Sequence, residues 1–124
     1  MVATGGVLVL STKPSILYHK PAASNTYSYD FDGMPAKILS VRLYGIRAAG
    51  RIQQAYLAFP GEATNIRLCH IQGETVADPA TDGESMYDEI NICLTVPAGT
   101  ILYWESQIAA PGDMVILITF NKIQ

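Results

Sequence analysis

Ile90-Asn91-Ile92-Cys93-Leu94-Thr95-Val96, followed by Pro97-Ala98-Gly99 and then by Ile101-Leu102-Tyr103-Trp104-Glu105-Ser106, is the stretch that decides the fold class. Ile90, Ile92, Leu94 and Val96 alternate with Asn91, Cys93 and Thr95, and a period of two puts one row on each face of a β-strand. Pro97 and Gly99 supply a fixed φ and a small, permissive residue for a turn, read as a type I turn with Pro97 second and Gly99 fourth. Ile101–Ser106 is then the returning strand of a hairpin. Ala110-Pro111-Gly112-Asp113 suits a type II turn, and Met114–Phe120 follows, so the three strands are expected to form a meander.

Upstream, the same period recurs. Tyr27, Tyr29 and Phe31 alternate with Ser28, Asp30 and Asp32, giving an aromatic face and a polar one before Gly33-Met34-Pro35 ends the run. Lys37–Arg47 places Leu39, Val41 and Leu43 against Ser40, Arg42 and Tyr44. In Ile52–Phe59, Ala55, Leu57 and Phe59 oppose Gln54, Tyr56 and Ala58, and Pro60-Gly61 turns the chain. Asn65–Ile71 sets Ile66 and Leu68 against Arg67, Cys69 and Ile71.

Residues 1–24 are apolar early and irregular later. Val7–Leu10 reads as a short strand, while Pro14 and Pro21 each remove a ladder donor. This segment is expected to be an N-terminal arm or an edge strand, with residues 25–124 forming the domain. Between Gly73 and Glu89 no apolar period survives. Glu74, Asp78, Asp82, Glu84, Asp88 and Glu89 make it a long acidic surface loop, six of the chain's eleven acidic residues. About eight strands, no helix and regular turn signals predict an all-β, antiparallel sandwich of jelly-roll type. An immunoglobulin-like sandwich is the alternative, although Trp104 follows both cysteines here instead of lying between them.

Size and composition bound the function. A chain of 124 residues buries roughly 65% of its unfolded surface and folds as one domain without staples. Charged residues are only 15% of the chain and hydrophobic ones 49%, which favours burial against partners. A net charge of −3 offers no basic field for phosphates, so nucleic acid is set aside. No apolar run approaches a bilayer span and no charged leader precedes Val7-Leu8-Val9-Leu10, so neither a membrane segment nor a signal peptide is expected. Cys69 and Cys93 are read as two buried thiols that behave as small apolar side chains.

The chemistry-bearing residues do not assemble into a motif. His19 and His70 lack metal-ligand spacing, and Cys69 and His70, being adjacent on one strand, point to opposite faces. The acidic loop departs from the EF-hand spacing, and no Gly-x-Ser-x-Gly elbow or phosphate-cradling glycine motif occurs. No cofactor and no catalytic activity are expected. Two binding features stand out. Tyr103 and Trp104 lie on opposite faces of one strand, so either is a candidate for stacking on a sugar ring. The last strand is apolar on both faces at its middle, with Met114, Ile116, Ile118 and Phe120 in one row and Val115 and Leu117 in the other. The second row needs a cover. Val7, Val9, Ile16, Tyr18, Val115 and Leu117 are therefore expected to form a subunit interface, or the N-terminal arm to fold back over the last strand.

The ending also carries a resemblance. Val96-Pro97-Ala98-Gly99-Thr100-Ile101-Leu102-Tyr103, a small-residue loop and Val115-Ile116-Leu117-Ile118-Thr119-Phe120 together resemble the close of small β-sandwich proteins of tailed bacteriophage virions. Capsid decoration, or cement, proteins match in length. The resemblance covers about the last third of the chain and contains no catalytic motif. It implies a homo-oligomer, a trimer by preference, made in the host cytoplasm. Such an oligomer binds the major capsid protein or other virion subunits on the capsid surface after shell expansion. The alternative is a carbohydrate-binding sandwich, such as a fibre tip, built on Tyr103 or Trp104 with acidic-loop residues.

Overall fold

The computed structural model describes residues 14–20, 26–46, 52–72, 85–107 and 114–123. They form eight strands: β1 (Ser15–His19), β2 (Thr26–Tyr29), β3 (Ala36–Ile46), β4 (Ile52–Ala58), β5 (Ile66–Gln72), β6 (Ser85–Val96), β7 (Ile101–Gln107) and β8 (Val115–Lys122). A single 3-10 turn, Phe31–Gly33, interrupts them. All pairings are antiparallel and fall into two four-stranded sheets, of order β1-β8-β3-β6 and β2-β7-β4-β5. β1 pairs with β8, β2 with β7, β3 with β6 and β4 with β5, so the pairs are nested like a long hairpin wound around a barrel. That nesting is the jelly roll expected from the strand pattern.

The core lies between the sheets. Ala36, Ile38, Val41 and Leu43 of β3, Ile116, Ile118 and Phe120 of β8, Ala55 and Leu57 of β4, Leu102 and Trp104 of β7, and Cys69 and Ile71 of β5 are all buried there. The alternation in β4, β7 and β8 therefore reads directly as inside and outside.

Three sequence-based expectations are corrected. β6, β7 and β8 are not a meander, because β6 and β8 lie in one sheet and β7 in the other. The turn Pro97–Thr100 carries the chain across the sandwich. Thr100 N–H donates to the Pro97 carbonyl at 3.2 Å, and Gly99 takes φ +92°, so Pro97 is the first residue of the turn and Gly99 the third. The true local hairpin is β4–β5. There Glu62 N–H donates to Phe59 carbonyl and Gly61 takes φ +78° behind Pro60, the residue order of a type II turn.

Second, two rows change phase at bulges. Register shifts at Leu39, so the core takes Ala36 and Ile38 and then Val41 and Leu43, instead of one row through Leu39. Leu68 is the extra residue of β5, which brings Cys69 and Ile71 inward. A bulge adds one unpaired residue and shifts every side chain beyond it.

Third, β6 begins at Ser85, so Asp88 and Glu89 belong to a strand, not to the acidic loop; Glu74, Asp78, Asp82 and Glu84 lie outside the described residues. Val7–Leu10 lies outside them too. Between the two prolines the chain forms β1, which lies beside β8 in the sheet and does not fold over its face.

Candidate functional site

The outer face of the β1-β8-β3-β6 sheet is built row by row from the register. Tyr18 of β1 lies beside Leu117 of β8, which lies beside Arg42 of β3, which lies beside Glu89 of β6. In the next row Val115 neighbours Tyr44 and Tyr44 neighbours Tyr87, whose rings stack with centroids 5.5 Å apart and planes 17° from parallel. Ile16 lies on the other flank, beside Thr119. Ile16 is 66% exposed, Tyr18 61% and Tyr87 60%, a concentration of large apolar side chains on one open face. Val115 and Leu117 are half-buried among them.

Within this patch the only ion pair among the described residues is Arg42 with Glu89. The guanidinium and carboxylate are matched on adjacent strands, so covering this row strands neither of them. Of the expected interface residues, Ile16, Tyr18, Val115 and Leu117 are brought together here, while Val7 and Val9 lie outside the described residues. Tyr44 and Tyr87 join the first-named residues on this face without any local sequence signal. Tyr44 stood on the polar side of its strand by alternation, and its stacking on Tyr87 depends on a long-range register that no local pattern reveals.

The outer face of the other sheet is different in character. Tyr56 of β4 lies directly across from Tyr103 of β7, and their rings stack at 5.4 Å with planes 18° apart. Beside them Gln54 Nε2 donates to Glu105 Oε1 at 2.6 Å, and Thr26 Oγ1 donates to Glu105 Oε2 at 3.4 Å. Burial, with a smaller contribution from the Glu105 carboxylate, holds the Tyr56 phenol above its ordinary pKa, so it stays a neutral donor. Gln54, Tyr56, Asn65, Arg67 and Glu105 line a shallow depression of about 400 Å³.

Trp104, the other expected stacking residue, does not serve that role. Its ring is only 3% exposed and its Nε1–H donates to His19 Nδ1 at 2.9 Å across the two sheets. Tyr27 packs against both rings, 4.6 Å from His19 and 6.4 Å from Trp104. A buried indole N–H needs a partner, and His19 supplies it. The residue is a pin between the sheets.

The remaining chemistry-bearing groups are engaged in the fold. Asp88 Oδ2 accepts from the His70 backbone N–H at 2.8 Å, joining β6 to β5 at the edges of the two sheets. The His70 ring lies 3.3 Å from Gln72 Oε1. Among the described residues no three His, Cys, Asp or Glu side chains converge on one point, and no helix is long and apolar enough to cross a membrane. The cysteines correct the expectation of two buried thiols. Both are free, but Cys93 is exposed with Asn91 and Thr95 on the outer row of the edge strand β6. Cys69 is buried and its Sγ–H donates to the Val41 carbonyl at 3.4 Å. Burial, chiefly, and the nearby Asp88 carboxylate push its thiol up to about 12.

No family model and no curated protein matches the chain. Three solved structures are similar to it at a distance. The Eiger TNF of S. frugiperda has a TM-score of 0.45 and 8% identity, covering 90% of this chain and 96% of that one. Infectious bursal disease virus of the Gt strain has a TM-score of 0.35 and 12% identity, and that of the Gx strain 0.31 and 12%. This chain spans 39% and 37% of those two virus chains.

Proposed function

We propose that this chain is a non-enzymatic virion structural protein of the capsid-decoration kind. Copies associate through the outer face of the β1-β8-β3-β6 sheet, as a trimer by preference. The oligomer binds the major capsid protein or other virion subunits on the outside of a bacteriophage head and braces the shell by contact area alone, with no cofactor. One observation carries the assembly: Ile16, Tyr18, Tyr44 and Tyr87 are exposed together, around half-buried Val115 and Leu117, on a face whose one ion pair is internally matched. Open apolar patches of this kind mark interaction surfaces. The virion setting is supported by the resemblance of the last third of the chain. Many modest contacts on a symmetric lattice add up to firm attachment.

The test is solution mass by light scattering over a dilution series, for the wild type and for a Tyr18→Asp, Leu117→Asp double variant. The wild type is expected to be a closed oligomer. The variant is expected to be a monomer with unchanged Trp104 fluorescence, since both substitutions lie outside the core. A wild type that is monomeric at every concentration refutes assembly through this face. Cosedimentation with expanded phage heads stripped of their decoration layer tests the virion half. Failure to bind any head removes that half and leaves the oligomer standing.

A further inference from the structure

We infer that the contact between His19 and Trp104 is a proton-operated latch that holds the edge strand β1 to the opposite sheet, and that proton uptake by His19 loosens β1 and, with it, the assembly face. The second half rests on the assembly proposed above; the first does not.

The donor fixes the chemistry. An indole N–H can only donate, so the 2.9 Å contact from Trp104 Nε1 makes His19 Nδ1 an acceptor, a role open only to the neutral ring. An imidazolium carries a proton on both nitrogens. It would set N–H against N–H and leave the indole donor, on a residue 3% exposed, without its acceptor. The latched state therefore holds one proton fewer than the released one, and acid draws the population toward release. Histidine is the ordinary side chain that changes charge between about pH 8 and pH 5, which sets the interval in which to look.

The surroundings act in the same direction. Around the ring stand Tyr27 of β2, its centroid 4.6 Å away, Trp104 of β7 at 5.5 Å and Ile116 of β8, the register partner of His19, with Tyr18 and Lys20 beside it in the chain. Lys20 has the same charge as an imidazolium, and no carboxylate is in this set. Glu105, next to Trp104 on β7, belongs to the outer face, where it accepts from Gln54 and Thr26. The Tyr27 ring attracts a cation, but that attraction does not return the acceptor the indole loses.

β1 is the element the latch governs. It is five residues long, lies at a sheet edge and, among the described residues, pairs only with β8. Ile16 and Tyr18 point outward on the assembly face, while Leu17 and His19 alternate with them toward the inside. His19 is the last residue of the strand, so losing its contact lets β1 fray from that end. Ile16 and Tyr18 then lose their fixed positions, and the edge of β8 opens.

The experiment compares wild type, His19→Asn and Trp104→Phe at about pH 7.5 and about pH 5.5. His19→Asn keeps an acceptor near the Nδ1 position that does not titrate, and Trp104→Phe removes the donor; either variant alone suffices for the comparison if the other fails to fold. Hydrogen exchange by NMR, each rate divided by the intrinsic rate at its own pH, gives the protection of the β1 amides, and light scattering gives the mass. In the wild type, β1 protection is expected to fall about tenfold or more at the lower pH while β4, paired on both sides, keeps its own. In the two variants β1 protection is expected to be the same at both pH values. His70→Gln, which removes the chain's other histidine, is expected to respond like the wild type. The wild-type oligomer is expected to dissociate at the lower pH and that of His19→Asn to persist. The latch is overturned if wild-type β1 protection is equal at both pH values, or if either variant loses as much as the wild type. Loss of β1 protection with an unchanged oligomer overturns the link to assembly. A wild type that is monomeric at both pH values overturns the assembly itself, and the exchange data still decide the latch.

Discussion

Gly45 is glycine because of one buried neighbour. A Cβ built on it would sit 1.8 Å from Gln53 Oε1, and Gln53 is fully buried, so its amide has no solvent to retreat into. The Gln53 amide atoms and the Ser106 hydroxyl, on paired strands, also find no hydrogen-bond partner among the described residues. Gly45→Ala is expected to cost about 1–3 kcal/mol by forcing that side chain to move. Adding Gln53→Ala should recover part of the loss, giving a coupling of at least about 0.5 kcal/mol in a double-mutant cycle by urea unfolding. Additive costs would show that the two side chains do not meet. The two thiols make a second prediction. At pH 8 a thiol-alkylating reagent should modify Cys93 and spare Cys69 until the protein unfolds. Cys69 also adds a pH dependence: its thiol sits near 9.0 when solvated and near 12 in the fold, so the folded state holds the proton more tightly. Its contribution is complete below pH 9 and is lost as pH rises from there toward 12. Chemical denaturation of wild type and Cys69→Ala across that interval should show the wild type losing more. Little of this was readable beforehand. The sequence placed both cysteines in strands, but which of them faces the core depends on the phase of each strand and on its place at a sheet edge.

Strands whose inward rows run unbroken, β4, β7 and β8, could be read from period alone, because burial on one face imposes the pattern. β3 and β5 could not, because Leu39 and Leu68 each insert a residue that is apolar and so leaves no mark in the alternation. The turn at Pro97–Thr100 departs from the expected hairpin for a related reason. Proline and glycine announce a reversal, but a hairpin within one sheet and a crossing between two sheets use the same residues. β6 carries its own irregularity. Beside the register shift, Cys93 has φ +45°, a left-handed conformation that a residue with a Cβ adopts at a cost of about 1–2 kcal/mol. Cys93→Gly is therefore expected to stabilise the protein by about 0.5–1 kcal/mol, and Cys93→Val to destabilise it by at least as much, in thermal or urea unfolding. An unchanged midpoint for both would mean the bulge relaxes freely. Phe31, at φ +58°, holds a similar conformation under firmer constraint. It is fully buried and packs edge-on against Phe120 at 5.3 Å, while Lys122 pairs with neighbouring Asp32 at 2.6 Å.

Across the whole molecule the two outer faces differ in character. One is apolar with a matched ion pair, the other polar around a tyrosine pair. Of the apolar face, the sequence marks Val115 and Leu117, the outward row of β8. Its other members come from β1, β3 and β6, elements remote in sequence, so only the folded register could gather them. On the other face the sequence marks only Tyr103 of the stacked tyrosine pair, since Tyr56 is unremarkable on its own strand.

The nesting of strand pairs also sets an order of events. β4 and β5 are joined by a short turn, whereas β1 meets β8 only after nearly the entire chain has been threaded between them. Closing that span carries the largest entropic cost, and topologies dominated by such remote pairings fold on the order of milliseconds to seconds. Pulse-labelled hydrogen exchange during refolding should find the amides of β4 and β5 protected before those of β1; simultaneous protection would show that the roll closes in one step. Until β1 arrives, β8 is a strand apolar on both sides with an open edge, the form most prone to pair with another molecule. Refolding yield should therefore fall as protein concentration rises, and the five residues Ser15–His19 act as the late guard against aggregation.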